Sequence, residues 1–570
     1  MGSCKNSMDD KRIQRNLEAI LKEMGIVNIP VRLDRPRDAS HGDLATSVAL
    51  SLASQLEKSP RQIAEEISSR LNREELGIET IEIAGPGFLN FKLSGDKLSS
   101  GLRNIVLTDG GYGKTGTGGD EAIMVEFVSA NPTGPLHLGH GRQAALGDAI
   151  ASLLEWTGWS VSREYYYNDA GTQIERLAES VWARYQQKIG EEAEIPEGGY
   201  SGEYISEIAN VFWDIHGDQF RGDESIEVLA RMKEEAVGVI RSAQDSDLED
   251  FGVNFDNYFL ESSLYSDGRI EKTVESLREV DKVYEFEGAI WLRTTDYGDQ
   301  KDRVMIKSNG SFTYFLPDVA YHIDKWQRGF KNVINVQGSD HHGTVDRVRA
   351  GLQALGLPKG FPEYVLHQMV RVEKDGIEVK FSKRSGSYTT LGELVSAVGA
   401  DVTRYFFQMR KAEGHLVFDL GLALDRSDKN PVFKVQYAHA RMCSIFKKSG
   451  INFDEKLARS ANLNLLKHPD ERGLIKQLLD FPEMVDNAAR KRSPHLICDY
   501  LEQTAGLVNS WYHSGNPSRN PEMAVLVEDA NLKHARLLLA EAVKIVLRNG
   551  LEILGISAPE YMSRDLEDGT

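Results

Sequence analysis

The sequence predicts an α/β protein. A central Rossmann-type nucleotide-binding domain carries an insertion, follows a small α+β domain and precedes an all-α helical bundle. Three observations predict this order. A unit of strand, glycine-rich turn and helix occurs twice, near 123–154 and 332–355, as in nucleotide-binding α/β folds. The first hundred or so residues mix helical and strand periodicity, whereas beyond about residue 415 apolar positions recur almost only at helical spacing. At 570 residues the chain exceeds one compact domain, and roughly 100–200 residues per domain gives three to five units.

In order along the chain, Ile13, Leu17, Ile20, Leu21 and Met24 share one face of a first helix. Helical stretches are expected at 45–56 and 61–71, and IEIAGPGFLNFKLS (81–94) reads as two strands around a Gly-Pro-Gly turn. Residues 1–112 form the small α+β domain. It gives way near 109 to the glycine-rich run DGGYGKTGTGGD, read as a linker ending at Asp120. Residues 113–415 hold the two nucleotide-fold units: Ile123–Val128, the turn NPTGPLHLGHG and a helix through Ala145, Ala149, Leu153 and Leu154, then NVINVQ, GSDHHG and a helix over 344–355. The acidic stretch 191–300 between them reads as an insertion. Residues 416–570 read as the bundle; one helix carries Val435, Ala438, Met442, Ile445 and Phe446, and another through Ala535, Leu539 and Val546 should stop at Asn549-Gly550.

With 41% hydrophobic and 27% charged residues the chain is an ordinary globular mixture, which excludes wholesale disorder. A net charge of −19 argues, taken whole, against a nucleic-acid partner. Residues 191–300, however, contain 9 Lys+Arg and 28 Asp+Glu, so they carry that −19 by themselves. Three cysteines (Cys4, Cys443, Cys498), far apart, make neither a disulfide framework nor a zinc site, so no structural zinc is expected and a reducing, cytoplasmic setting is. No stretch approaches a membrane span. The start, MGSCKNS, places Asn6 where a myristoylation signal wants Ser or Thr, and is read as a tail without an address.

Two motifs carry chemistry. The turn NPTGPLHLGH sets His137 and His140 at a helix N-terminus, where backbone N–H groups and the helix dipole favour anions. Two imidazoles there suit charge developing on phosphate oxygens, although histidines in a Pro/Gly turn also serve as plain helix caps. KFSKRSG (Lys380 to Gly386) offers two lysines three apart in a loop able to close over phosphates; alone, such a run is also an ordinary solvated loop. Their order, one on each side of the second strand–turn–helix unit, strengthens both.

On these residues the sequence resembles the class I aminoacyl-tRNA synthetases, whose HIGH and KMSKS signatures match His137-Leu138-Gly139-His140 and Lys380-Phe381-Ser382-Lys383-Arg384. VEFVSANPTGPLHLGHGR is similar to the signature region of the arginyl-tRNA synthetase family. HGDLATSVAL and AGPGFLNFKL are similar to that family's N-terminal add-on domain, VQYAHAR and LGISAPEYM to its anticodon-binding domain. The resemblance implies a tRNA-contacting domain at 1–112, a class I catalytic domain at 113–415 and an anticodon-binding domain at 416–570. It implies catalytic roles for His137, His140, Lys380 and Lys383, and ATP contacts for Gly139, Gly338, Asp340, His341, His342, Phe381 and Ser382. Glu126, Tyr314 and Asp318 match positions that hold arginine's guanidinium, Ser129 and Asn131 those that hold its α-amino and carboxylate ends, and Gln337 is a candidate for the amino group. Carboxylates and oxygen acceptors are what a planar five-donor cation requires. Without the resemblance, Glu126 also reads as a solvent-facing strand residue and Asp318 as a helix cap.

For tRNA the resemblance elevates Tyr437 and Arg441 among the basic and aromatic residues of the bundle, which also include Arg490, Lys491, Arg492, Trp511, Tyr512 and Tyr561. The family's usual PERM ending is here PEYM, so Tyr561 exchanges a charge for a stacking surface; Phe381 replaces Met in the lysine loop. The expectation is a monomeric, cytoplasmic arginine–tRNA ligase using ATP with Mg2+, without a protein metal site or a membrane partner. Two alternatives are a related ligase with a non-tRNA acceptor and a catalytically silent RNA-binding paralogue. The intact flanking domains argue against the first, and the retained histidines and lysines against the second.

Overall fold

Sheet topology carries the architecture of the computed structural model, which describes residues 7–26, 29–34, 36, 41–169, 171–379, 389–451, 454–515 and 520–563, without the side chains of 7–11. Near the N-terminus, β1 (Leu44–Thr46), β2 (Ile78–Ala84) and β3 (Phe88–Leu93) form an antiparallel sheet in the order β1-β3-β2. It is covered by helices Ser7–Glu23, Val48–Leu56 and Pro60–Arg70, the last opened by a Ser59–Gln62 capping box. Ile13, Leu17, Ile20 and Leu21 are buried as their spacing requires. The stretch expected to be helical from residue 45 instead starts as β1, because Leu44, Ala45 and Thr46 pair with β3.

The expected linker is a packed strap. A helix over Gly95–Thr108, missed in the sequence, lies against the C-terminal helix Ala530–Ile553. Tyr112 is then buried with its hydroxyl on the Leu478 carbonyl, 3.1 Å away. Thr115 and Thr117 donate to Asp486. The glycines serve contact here: a Cβ on Gly113 would meet the Phe481 ring and one on Gly118 the Trp159 indole.

The catalytic half is built on five parallel strands, β4 (Ala122–Glu126), β5 (Ser160–Tyr167), β6 (Asn257–Leu260), β10 (Asn332–Gly338) and β11 (Glu363–His367), in the order β11-β10-β4-β5-β6. From β4 the chain winds outward through β5 and β6, then returns to β10 on the other side. The switch point between β4 and β10 opens a crevice at their C-terminal ends, where such sheets bind ligands. The acidic stretch is therefore not a single insertion, since β6 inside it belongs to the main sheet. Helices Thr172–Lys188, Glu203–His216 and Ile226–Asp250 form a satellite layer with its own core of Leu177, Val181, Phe212 and Met232. After β6 come β7 (Val283–Phe286), β8 (Ala289–Leu292) and β9 (Arg303–Ile306), a small antiparallel sheet in order β7-β8-β9.

Beyond β11, β12 (Val370–Lys374), β13 (Ile377–Glu378) and β14 (Leu416–Asp419) form a third small sheet. The segment after 415 thus opens with a strand before becoming helical, from Pro431–Ser449 to Ala530–Ile553. That last helix runs past Asn549-Gly550 to Ile553. Asn549 is buried and donates to the carbonyls of Asp109 and Tyr112, while Gly550 makes room for Leu501, which a Cβ would approach to 2.6 Å. Packing sets those two residues, and the turn comes at Gly555. Fully buried Arg404 ties the parts together: it reaches Asp148 on the helix Leu138–Trp156, the Phe251 carbonyl and the Leu554 carbonyl. Removing one partner of such a buried pair costs about 3–5 kcal/mol.

Candidate active site

The turn after β4 is strained. Val128 and Ser129 hold φ of +67° and +43°, a conformation costing on the order of 1–3 kcal/mol per residue and found where geometry matters. Three residues, one from each satellite helix, brace the next few positions. Gln173 accepts from the Asn131 amide at 2.7 Å, Gln244 donates to the carbonyls of Asn131 and Gly134, and Tyr204 donates to the Thr133 carbonyl at 2.9 Å.

His137 is the N-cap of helix Leu138–Trp156, and the two histidines cap each other. The His140 N–H donates to His137 Nδ1 and the His137 N–H to His140 Nδ1, both at 3.3 Å. Their rings stack with centroids 3.6 Å apart and 14° between planes. Gly139 permits this, since a Cβ there would lie 2.7 Å from His137 Cε1. Burial pushes His140 down to about 3 and lowers His137 too, so both rings are neutral at pH 7. With each Nδ1 accepting, the proton of each neutral ring sits on Nε2. The result is a pair of stacked N–H donors at a helix N-terminus, suited to phosphate oxygens.

The loop Lys380–Gly386, with Lys380, Phe381, Ser382 and Lys383, lies outside the described residues. Its flanks do not. β13 ends at Glu378, and Leu391 donates to the Leu136 carbonyl at 2.8 Å while Thr390 bridges to His137. The chain thus re-emerges beside the histidine turn.

At the end of β10, Gly338 leads into the short turn Ser339–His341, where Asp340, His341 and His342 are exposed. A Cβ on Gly338 would meet the exposed Asp340 carboxylate, which would have to turn aside. Gln337 is half-buried one residue earlier. Sequence reasoning missed His367 at the end of β11: it is buried, lowered to about 4 by burial, with its Nε2 unbonded among the described residues.

On the other flank of β4 three carboxylates converge. Glu126 is buried; Ser129 Oγ donates to its Oε1 at 3.0 Å and Lys325 to its Oε2. Asp318 lies in the first turn of helix Phe315–Gln327, and Tyr314 caps that helix, 72% exposed at its start. Glu261, which comes directly after β6 and was not singled out in the sequence, accepts from the Tyr166 hydroxyl at 2.8 Å. Burial, then the charges of Glu261 and Glu126, raise Asp318 to about 7; burial raises Glu261 as well. Mutual repulsion of this kind is relieved by a cation. Beneath lie Glu164, Arg328 and Tyr321, with Arg328 forked onto Glu164 at 2.6 and 2.8 Å. Among the described residues no three His, Cys, Asp or Glu side chains gather as a metal site.

In the bundle, Arg441 is stacked between Tyr437 (4.8 Å) and Tyr512 (4.3 Å) and donates to Asn509. Tyr561 is 77% exposed, and Trp511 is core. Arg492 is engaged by Glu363.

Residues 11–93 match the arginyl tRNA synthetase N-terminal domain family, 101–404 the class I (R) tRNA synthetase catalytic domain and 435–562 the DALR anticodon-binding domain. The arginine–tRNA ligase of Geotalea daltonii is 49% identical over 541 residues, covering 93% of this chain and 94% of its own. That of Cupriavidus metallidurans is 46% identical over 581 residues, covering 94% and 95%. The Thermus thermophilus arginyl-tRNA synthetase structure superposes with a TM-score of 0.75 at 25% identity, over 97% of this chain and all of that one.

Proposed function

The chain belongs to the arginyl-tRNA synthetases and acts as an arginine–tRNA ligase; on that premise we propose how its residues divide the work. The convergence of Glu126, Glu261 and Asp318 beside a neutral histidine pair carries the reading, because it sets a cation site next to a phosphate site across one strand end. Arginine's guanidinium lies among Glu126, Asp318 and Tyr314, with Ser129, Asn131 and Gln337 at its amino and carboxylate ends. ATP lies over the second turn, using Gly139, Gly338, Asp340, His341 and His342. Its Mg2+ arrives as the counter-ion of the triphosphate.

The arginine carboxylate oxygen then attacks the α-phosphorus in line. A carboxylate O–P bond forms, the bond from Pα to the bridging oxygen breaks, and pyrophosphate leaves with that electron pair. Positioning and electrostatics do most of this work. The Nε2–H groups of His137 and His140 donate to phosphoryl oxygens as charge builds, and Lys380 and Lys383, with Phe381 and Ser382 between them, track the departing pyrophosphate. The arginyl group passes to the terminal adenosine of tRNA, at the 2′-hydroxyl as in class I. Tyr437 and Arg441 sit where the bundle meets tRNA. The protein works as a cytoplasmic monomer; among the described residues no helix is long and apolar enough to cross a membrane.

ATP–pyrophosphate exchange across the amino acids, with and without tRNA, tests the reading. Exchange stimulated by arginine alone, with charging of a tRNA, is expected. Exchange that never depends on arginine would overturn it.

A further inference from the structure

The polar face of helix Phe315–Gln327 does not end at Asp318. His322 and Lys325 continue it at helical spacing, and both are buried. An ammonium only donates. Lys325 gives one hydrogen bond to Glu126 on β4 and another, at 3.1 Å, to Oδ1 of Asn335 on β10. That commits Asn335: with its oxygen accepting, its Nδ2 faces His322 Nε2 at 2.7 Å and must donate. Nε2 is then the ring's acceptor, so the proton of neutral His322 sits on Nδ1. This nitrogen is 2.7 Å from the backbone carbonyl of Asp318, to which it donates. Burial lowers His322 to about 3, which keeps the ring in the one-proton state the chain needs. Each link leaves the next one direction only.

We propose that Lys325, Asn335 and His322 are positioning residues for the amino-acid substrate: a directed hydrogen-bond relay that fixes the Glu126 carboxylate relative to the helical turn bearing Asp318. The inference rests on the reading of this pocket as arginine's. Lys325 joins the helix to Glu126 on β4 directly, and Asn335 and His322 close the path back onto the same helix at the Asp318 carbonyl, so the relay fixes where the Lys325 ammonium holds Glu126 relative to the turn that carries Asp318. Apolar residues of similar volume would fill the same space at little or no cost in stability. A polar chain here gains geometry instead. A planar guanidinium needs its acceptors at set places, which a point-charge ammonium does not, so the relay also favours arginine over lysine.

Three variants test it in the full-length protein, by aminoacylation kinetics and by thermal stabilisation with arginine. His322→Phe and Asn335→Leu cut the relay in the middle without leaving Glu126 unpaired. His322→Gln keeps an amide oxygen near the Nε2 position, where it still accepts from Asn335. The first two should raise the arginine KM by about ten- to a hundredfold, leave the ATP KM within about twofold, narrow the preference over lysine and weaken stabilisation by arginine. His322→Gln should recover part of the loss. Lower kcat with unchanged arginine KM, a parallel rise in both KM values, or equal losses in His322→Gln and His322→Phe would overturn the relay. Wild-type protein run alongside separates the two readings: no arginine-dependent charging there sinks the pocket assignment itself.

Discussion

Asp318→Asn should make the free protein more stable at alkaline pH while removing its response to arginine. The Asp318 carboxyl stands at about 7 rather than its ordinary 3.8 because burial, Glu261 and Glu126 all disfavour its charge. A folded-state value above the unfolded one means a contribution fully present below 3.8, lost as pH climbs towards 7 and absent above it. At about 1.4 kcal/mol per pH unit, the span from 3.8 to about 7 corresponds to roughly 4 kcal/mol; solvent reaching a partly exposed side chain reduces that to about 2. Asparagine keeps the shape and removes the charge, so its advantage should reach roughly a third of its full size by pH 5, grow to about pH 7 and then level off. Denaturation of wild type and variant at pH 5, 6, 7 and 8 reads it directly. Arginine supplies the missing cation and should stabilise wild type more at pH 8 than at pH 6, raising its affinity as Asp318 ionises. The variant should show neither effect. A stability gain independent of pH, or undiminished stabilisation of Asp318→Asn by arginine, would refute the electrostatic account of the pocket.

Gly139→Ala adds a methyl 2.7 Å from His137 Cε1 and should unstack the histidine pair. Exchange kcat should fall on the order of a hundredfold, while melting temperature drops by only a few degrees, about what the loss of the reciprocal cap costs. Lys383→Ala should lower kcat for activation with arginine KM unchanged, measured by single-turnover adenylate formation; a pure KM effect contradicts the leaving-group role. Arg441→Ala releases Tyr437 and Tyr512 and should raise the KM for tRNA about three- to thirtyfold, with arginine-dependent exchange at saturating tRNA unaffected.

What could be read from the sequence was whatever depends on residues close together in it. The histidine turn is local: strand, Pro/Gly turn and two imidazoles three apart specify a cap, and the structure adds that they cap each other. Glu261 was illegible because it is one carboxylate in an acidic run and its partner Tyr166 lies 95 residues away. Lys325 and His322 left a faint signal, polar residues at helical spacing from Asp318 in an apolar helix, but only burial turns that pattern into a relay. Glycine misled twice for one reason. The run 110–119 reads as a linker and Asn549-Gly550 as a helix end, yet in both places the missing Cβ admits an aromatic or leucine side chain from a distant element. Local chemistry cannot tell a glycine needed for flexibility from one needed for contact.

The acidic stretch poses the same question for charge. Many of its carboxylates, among them Glu191, Glu203, Glu207, Asp214, Asp218, Glu227 and Glu234, are exposed, where salt screens them beyond about 8 Å. Their sum therefore says little about an RNA bound elsewhere on the molecule. Much of what the stretch contributes to the site is uncharged: the amide of Gln244 and the hydroxyl of Tyr204 hold the backbone at Asn131, Thr133 and Gly134. The carboxylate it turns towards the pocket is Glu261, buried and raised, which acts on Asp318. In the proposed arginine pocket a single acid thus bears on substrate choice more than the many outside it. The total of −19 comes from the many, and the proposed preference for a cationic amino acid from the few.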